Sequence, residues 1–297
     1  MEFLTGVKQK EVLEIGDLLS PEMMGSKVKV NGAIHTIRDM GPIAFVILRK
    51  REGLLQCVYE SGRADFSLKE LKEGGTVEVS GVLASSEKAP NGVEIRMASV
   101  VILSEPAQAM PIPISKRKMN ISMETSLDLR PVSLRNIRER AKFRIQEGIV
   151  RGFRDFLTTQ GFTEIHTPKI GARGAEGGTN IFRLDYFHRP AVLAQSPQFY
   201  KQMMVGVFDR VFETAPVFRA EKHNTKRHLN EYTSLDFEMG YIDGFEDIMA
   251  METGVLQSMM GLLKKEYSRE LAILDIELPD TLKIPCVPVS YTHLTLP

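Results

Sequence analysis

The sequence predicts an α+β protein of two domains, a small β-barrel followed by a domain of long helices and antiparallel strands. Three observations support this prediction. Short alternating apolar runs separated by Gly and Pro turns fill the first hundred residues. An amphipathic stretch of about seven helical turns comes next, with apolar residues three and four apart. Two strand-like runs then flank a charged loop between Arg210 and Asp243.

Length and composition are those of a globular protein with two domains and a sizeable core. Lys plus Arg equals Asp plus Glu at 38 each, so nucleic-acid binding would have to rest on local patches. Cys57 and Cys286 are isolated, which excludes a CxxC zinc site and disfavours a disulfide framework. A reducing, cytoplasmic setting fits best. The sequence contains no long apolar run of the kind that would predict secretion or membrane spanning.

The first domain is predicted to contain three strands, a short helix and two more strands. Their predicted bounds are 27–38, 43–49 and 54–60 for the strands, 64–72 for the helix, and 76–86 and 93–103 for the last two strands. Ala89 to Gly92 forms the turn between the last two. This order is that of an OB-fold, a barrel that often binds single-stranded nucleic acid. Other small β domains share the same order.

Four polar or aromatic residues of these strands are candidates for nucleic-acid contact. Phe45 and Gln56, on adjacent strands, could stack on and read an unpaired base. Phe45 could equally be a core residue of its apolar strand. Arg38 and Arg49 could neutralise phosphate or merely solvate the rim.

Residues 105–127 change character and predict an interdomain hinge stiffened by proline. Their basic cluster, residues 115–118, either touches a nucleic-acid backbone or is a solvated linker. The long helix follows, with Ser133 as the expected N-cap and Gly161 as the C-cap. A strand over 162–167 then leads into Pro168.

Residues 171–182 are rich in glycine and form either a mobile lid or a plain surface loop; no GKS or GKT follows, which excludes a P-loop. The next strand runs into a helix with Ser196 as expected N-cap and Pro197 as its first residue. Gln198 and Lys201 share one face of that helix. Lys201 could pair with a carboxylate, or be a solvated helix lysine.

The run from Arg210 to Asp243 predicts a hairpin with one apolar and one charged face. Arg219 and Glu221 should share a face, as should Asp236 and Glu238. The apolar face should carry the residues that alternate with those acids: Leu235, Phe237, Met239 and Tyr241. Cations beside acids on a sheet suit a substrate with phosphate and amine groups, although a solvated hairpin is the simpler alternative.

Several segments resemble a known family when taken together. FRAE…RHLNEY resembles motif 2 of class II aminoacyl-tRNA synthetases, and the long helix with its strand resembles motif 1. With QSPQFYKQ, DRVFETAPVFRAE and LDFEM, the stretch 12–285 is similar to aspartyl-tRNA synthetases of the archaeal and eukaryotic type. The resemblance implies an OB-fold anticodon-binding domain (1–104), a hinge (105–127), a partial class II catalytic domain (128–287) and a non-native tail (288–297).

The resemblance also implies substrates and residue roles: ATP with Mg²⁺, L-aspartate and tRNA. Arg219 matches the arginine that stabilises charge on the α-phosphate, and Lys201 the lysine that binds the side-chain carboxylate of aspartate. ATP binding is implied for Arg219, Glu221, Arg227, His228, Leu229 and Tyr232, and aspartate binding for Glu176, Gln198, Lys201 and Arg219. Anticodon binding is implied for Phe45, Gln56 and Arg38. His35 and Pro90 match residues of enzymes that charge both the aspartate and asparagine tRNAs.

The same resemblance predicts a homodimer through motif 1 and no membrane contact. Because the sequence stops before motif 3, the Mg²⁺ ligands are expected outside it, and the chain as written is expected to have little or no activity. Two alternatives stay open. Lys201 speaks against an asparaginyl-tRNA synthetase. Arg219 and Glu221 disfavour a non-catalytic tRNA-binding protein, because tRNA binding alone would not require them.

Overall fold

In the computed structural model the chain is described for residues 13–106, 108–174, 181–222, 225 and 229–279. It forms two compact units, residues 1–140 and 141–297.

Five strands of the first unit close into a barrel. They are β1 (Lys27–Asp39), β2 (Ile43–Arg49), β3 (Leu54–Glu60), β4 (Thr76–Ser85) and β5 (Val93–Ser104), in the order β1-β2-β3-β5-β4. Strands β3 and β5 pair in parallel, and the other pairs are antiparallel. A short helix, α1 (Ile15–Leu18), and a 3-10 turn (Pro21–Met23) precede the barrel. The predicted OB-fold is confirmed.

The alternation along β2 separates the barrel core from its outer face. Ala44, Val46 and Leu48 point inward and belong to the buried core. Phe45, Ile47 and Arg49 therefore point outward, because successive side chains of a strand lie on opposite faces. Phe45 is thus not a core residue.

The turn and helix predictions for the barrel had different outcomes. Gly92 donates its backbone N–H to the Ala89 carbonyl at 3.0 Å and has a φ of 74°, so the predicted turn is confirmed. The helix predicted over 64–72 is wrong, since only a 3-10 turn (Leu68–Glu70) forms. Phe66 packs on Tyr59 with ring centroids 5.3 Å apart, and contact with the barrel core outweighs the local preference for helix.

Three helices follow the barrel: α2 (Met123–Asp128), α3 (Arg130–Ser133) and α4 (Ile137–Thr159). The N-cap of the long helix is Asn136, not Ser133. The Asn136 side-chain oxygen accepts backbone N–H bonds from Arg138 (2.9 Å) and Glu139 (3.4 Å), whereas Ser133 donates to the Ser126 carbonyl. Gly161, with a φ of 78°, ends the helix as predicted.

Where the structure describes the second unit, it contains two three-stranded sheets and three further helices. Its elements are β6 (Thr163–Glu164), β7 (Ile170–Gly171), β8 (Arg183–Tyr186), β9 (Arg189–Leu193), α5 (Gln198–Phe208), β10 (Arg210–Phe218), β11 (Glu231–Met239), α6 (Phe245–Glu266) and α7 (Ser268–Leu274). One sheet has the order β11-β10-β6 and the other β7-β9-β8. β10 and β11 form the predicted antiparallel hairpin.

The core of this unit lies between α4, α6 and one face of the hairpin. Phe153 and Phe212 pack edge to face with their ring centroids 5.7 Å apart. Gly152 of α4 lets the helices approach closely, since a Cβ there would lie 2.9 Å from the Met259 Cα. None of the helices in the described part of the chain is both long and apolar enough to cross a membrane.

Candidate active site and nucleic-acid face

The hairpin β10–β11 has one polar and one apolar face, as its sequence predicts. Glu213 lies opposite Asp236, and Val211 opposite Glu238, on the polar face. Leu235, Phe237 and Met239 line the other face and pack against the core. Tyr241 departs from the prediction, because the strand ends at Met239 and the ring is exposed.

Lys201 of α5 is a buried cation held by two carboxylates of β11. Its Nζ lies 3.1 Å from Asp236 Oδ1 and 3.5 Å from Glu238 Oε2, and its side chain is only 6% exposed. Ser234 Oγ hydrogen-bonds the other Asp236 oxygen. Lys201 is therefore not a solvated lysine. A buried charge of this kind is maintained only by partners of opposite sign.

Gln198 joins the same network one helical turn earlier. Its Nε2 donates to the Glu238 carboxylate at 3.4 and 3.5 Å. The Ser196 hydroxyl accepts the Gln198 backbone N–H at 3.2 Å, and the helix begins at Gln198, one residue later than predicted. The structure thus brings the predicted Gln198 and Lys201 together.

Glu213 is a buried charged residue that the sequence interpretation missed. Its carboxylate accepts bonds from the Thr167 backbone N–H (2.7 Å), the Thr167 hydroxyl (2.8 Å) and Lys169 Nζ (2.8 Å). The Glu213 side chain is 2% exposed. A single acid inside the apolar run VFETAPVF was the available signal.

A cavity of about 500 Å³ opens beside the start of α5. It is lined by Pro168, residues 171–174, Val192, Ala194, Ser196, residues 198–200 and Gln202. Its volume is in the range of small-molecule sites. Gln198 belongs both to this wall and to the Lys201 network, whereas neither Lys201 nor Arg219 is among the lining residues.

The chain turns immediately after β10, where the predicted ATP-binding residues lie. The strand stops at Phe218, and the Glu221 N–H bonds back to the Arg219 carbonyl at 2.7 Å. The prediction that Arg219 and Glu221 share one strand face is therefore wrong, because this tight turn interrupts the alternation. Both are half-buried.

The other predicted ATP-binding residues are only partly described. Tyr232, opposite Val217, is half-buried on the polar face, and Leu229 is exposed. Glu176, Arg227 and His228 lie outside the described residues.

The predicted anticodon-binding residues share the outer face of the barrel. Arg38 is exposed and lies opposite Phe45, while Gln56 lies opposite Ile47. The Gln56 amide donates to Glu94 at 2.9 Å, which fixes its orientation. Phe45 is half-buried and Arg38 exposed, whereas Gln56 is buried at 7% exposure, so of the three residues Arg38 is the most accessible to a nucleic acid.

The two predicted tRNA-selectivity residues lie in different surroundings. His35 occupies a β-bulge of β1 and is 2% exposed, whereas Pro90 is exposed in the turn between β4 and β5. Burial, together with the charges of Arg49 and Arg140, lowers the pKa of His35 to about 4 against an opposing effect of Glu73. The imidazole is therefore neutral at pH 7.

Comparison with known families covers both units. Residues 28–103 match the OB-fold nucleic acid binding domain, and residues 122–293 match the family "tRNA synthetases class II (D, K and N)". The chain belongs to the class II tRNA synthetases. This synthetase chain therefore combines an N-terminal OB-fold domain with class II catalytic-domain sequence, as the sequence predicts.

Curated relatives carry names that refer to aspartate. The chain is 45% identical over 276 residues to an aspartate–tRNA(Asp/Asn) ligase of Deinococcus radiodurans, covering 93% of this chain and 61% of the relative. It is 39% identical over 278 residues to an aspartate–tRNA(Asp) ligase of Thermococcus kodakarensis, covering 92% and 63%. The synthetase chain thus spans less than two thirds of these relatives.

Solved structures with the same fold include both aspartyl and asparaginyl enzymes. Asparaginyl-tRNA synthetase from Pyrococcus horikoshii, complexed with asparaginyl-adenylate, matches with a TM-score of 0.79 and 27% identity over 89% of this chain and 61% of that one. Aspartyl-tRNA synthetase from Entamoeba histolytica matches with a TM-score of 0.73 and 29% identity over 89% and 57%.

Arg219 and Tyr232 offer a cation and an aromatic ring near the same end of the hairpin. Among the described residues no group of three or more His, Cys, Asp or Glu side chains converges on a metal site. The predicted location of the Mg²⁺ ligands stays a prediction.

Proposed function

We propose that the chain carries the amino-acid and ATP sites of an aspartate–tRNA ligase. The observation that supports this most is Lys201, a buried cation fixed by Asp236 and Glu238 beside a cavity of small-molecule size. Family membership supplies the reaction class, and the buried lysine supplies the preference for an acidic amino acid.

The proposed reaction has two steps. An oxygen of the aspartate α-carboxylate attacks the α-phosphorus of ATP, and the bond to pyrophosphate breaks. The aspartyl group then passes from AMP to a ribose hydroxyl at the tRNA 3′ end. Arg219 would stabilise the charge that develops on the α-phosphate, and Mg²⁺ would be bound with the triphosphate.

The remaining assignments follow the family pattern. Glu221, Arg227, His228 and Leu229 would contact ATP, and Tyr232 would stack on adenine. Glu176 would bind the substrate amine beside Gln198.

Lys201 accounts for a preference for aspartate over asparagine. Its ammonium has three N–H donors, and the two carboxylates of β11 account for two of them. A substrate carboxylate would form a charge-assisted bond there, whereas the asparagine amide would not match it. Discrimination of roughly 10²-fold or more is expected for such a site.

Ligand-induced stabilisation tests this proposal without requiring turnover. The thermal midpoint should rise with L-aspartate plus ATP and Mg²⁺, and much less with L-asparagine or L-lysine. Lys201→Met should abolish the aspartate effect while keeping that of ATP. Lys264→Met, at an exposed lysine of α6, is the matched control and should behave like the wild type. A larger shift with asparagine than with aspartate would contradict the proposal.

The tRNA partner would be bound through the barrel as an anticodon-binding domain over residues 1–104, followed by a hinge over 105–127. Phe45, Gln56 and Arg38 would contact the anticodon. Relatives named as aspartate–tRNA(Asp/Asn) ligases support a relaxed specificity, with His35 and Pro90 as its determinants. Comparable binding of the aspartate and asparagine tRNAs, measured by fluorescence anisotropy, is expected; strict preference for the aspartate tRNA would exclude relaxed specificity.

An asparaginyl-tRNA synthetase is the second candidate, since such enzymes share the fold. The stabilisation assay above separates the two, because an asparagine site would not need the Lys201 charge. A non-catalytic tRNA-binding protein would show no shift with any amino acid.

The proposed setting is the cytoplasm, where translation enzymes of this family act. The proposed assembly is a homodimer through the motif 1 segment, α4 and β6. Phe143 on α4 is 46% exposed, which suits a surface that another subunit covers. Light scattering should give twice the chain mass of 33.4 kDa.

A further inference from the structure

A cluster of cationic side chains lies at the end of β2 on the outer face of the barrel. Arg49 is the last residue of that strand and points outward. The Arg140 guanidinium donates to the carbonyls of the next two residues, Lys50 at 3.0 Å and Arg51 at 2.7 Å, which places it beside Arg49. Arg135 is tied by its Nε to the Pro131 carbonyl at 3.1 Å.

The charges in this cluster act on one another. Burial, followed by the positive charges of Arg135 and Arg140, lowers the pKa of Arg49 to about 10. Like charges close together in a partly buried site oppose folding unless an anion compensates them. The Lys50 ammonium points elsewhere, to the Asn31 carbonyl at 3.0 Å and towards Glu14.

Buried polar atoms in the same place lack partners. Within the described residues, Arg49 Nη1 and both ring nitrogens of His35 have no hydrogen-bond partner. His35 is 98% buried and is influenced by the charges of Arg49 and Arg140, so the ring lies close to the cluster. Buried donors without partners are rare because each costs free energy.

The carboxylate that acts on His35 is already engaged elsewhere. Glu73 accepts the Thr36 hydroxyl at 2.7 Å and the Ile37 N–H at 2.9 Å. Arg49 Nη1 has no hydrogen-bond partner, so Glu73 does not satisfy that atom.

We propose that Arg49, Arg135, Arg140 and His35 form a binding site for a phosphate group. A phosphate offers several acceptor oxygens and a charge of −1 to −2, which matches the forked donors of several guanidinium groups. The neutral imidazole adds one further N–H donor. The phosphate would come either from an RNA backbone crossing the outer face, where Phe45 lies four residues before Arg49, or from free phosphate.

Arg49→Met tests the site, with Arg51→Met as the matched control at an adjacent arginine whose side chain is 78% exposed. Inorganic phosphate is titrated into the 297-residue chain by calorimetry. Wild type and Arg51→Met should bind it, and Arg49→Met should bind at least about tenfold more weakly. Arg135→Gln should also weaken binding, and circular dichroism checks the fold of each variant.

Thermal stability separates binding from a merely structural role. In phosphate-free buffer Arg49→Met should be at least as stable as wild type, since the folded state disfavours the Arg49 charge. Phosphate should then stabilise wild type but not the variant. Equal loss of stability with and without phosphate, or phosphate binding unchanged in Arg49→Met, would overturn the proposal.

A tRNA-binding experiment identifies the source of the phosphate. If RNA supplies the phosphate, Arg49→Met should lower the affinity for tRNA and reduce the slope of log K against log salt concentration by about one. Inorganic phosphate should then compete with tRNA for the wild type but not for the variant. If tRNA binding is unchanged while phosphate binding is lost, the site takes free phosphate. Both results support the site, and neither depends on the amino acid that the chain activates.

Discussion

At the residue scale, the polar face of the hairpin depends on charges that hold one another in place. Three carboxylates, Glu213, Asp236 and Glu238, lie on it, and two lysines, Lys169 and Lys201, bind them. Because these groups are largely removed from water, loss of one charge leaves its partner uncompensated.

Glu213→Gln should destabilise the protein by about 2–4 kcal/mol, because Lys169 and Thr167 lose a buried charged acceptor. Glu164→Gln is the matched control, since that carboxylate is partly exposed and pairs with a partly exposed Arg154. It should change the free energy of unfolding by less than about 1 kcal/mol. Urea denaturation measures both, and equal effects would contradict the role given to Glu213.

His35 should make stability dependent on pH. Its folded-state pKa of about 4 lies below the ordinary 6.5, so the unfolded chain binds a proton that the folded chain refuses. Stability is thus kept above pH 6.5 and is lost as the pH falls towards 4, by about 2 kcal/mol at pH 5. His35→Phe should show a correspondingly smaller loss between pH 7.5 and 5 in urea titrations. Parallel losses in both proteins would rule this out.

At the element scale, two helices pack closely because glycine occupies their contact. A Cβ at Gly152 of α4 would meet the Met259 backbone, whereas one at Gly261 of α6 would meet nothing within 4 Å. Gly152→Ala should therefore destabilise by about 1–3 kcal/mol, and Gly261→Ala should stabilise by about 0.5–1 kcal/mol through helix propensity. Thermal denaturation measures the sign of both stability changes. A stabilising effect of Gly152→Ala would show that the helices can move apart.

Local sequence rules predicted the strands better than the helix starts. Gly92 and the alternating runs of the barrel were sufficient for its turns and strand bounds, because these depend on neighbouring residues. The 64–72 segment failed because Phe66 packs on the barrel, and Ser133 failed as a cap because Asn136 stands closer to the helix start. Contacts made through the fold decide both.

The site shows the same limit. Gln198 and Lys201 were predictable from their helical spacing. Their bonds to Glu238 and Asp236 join residues far apart in sequence. The same holds for the bonds that Glu213 accepts from Thr167 and Lys169, and the separations run from 35 to 46 residues. Such contacts become visible only once the hairpin register and the helix position are known.

At the scale of the whole molecule, each unit has its own apolar core. The barrel core includes Leu55, and the helix–hairpin core includes Phe212, both almost fully buried. Separate cores allow separate unfolding transitions, so a single two-state description should fail for the whole chain.

Core substitutions should therefore act selectively in differential scanning calorimetry. Leu55→Ala should lower one transition and Phe212→Ala the other, each by the effect of about 2–5 kcal/mol that truncating a buried side chain has. If either variant lowers both transitions equally, the units unfold as one.

The strict alternation of polar and apolar residues along β11 favours a single register of the hairpin. Were β11 to slip by one residue against β10, Asp236 and Glu238 would enter the apolar core beside Phe153, and Phe237 would face the Lys201 ammonium. A misaligned chain would thus lose its core and its cation partners at once. The same residues that hold Lys201 in place therefore also fix the strand register during folding.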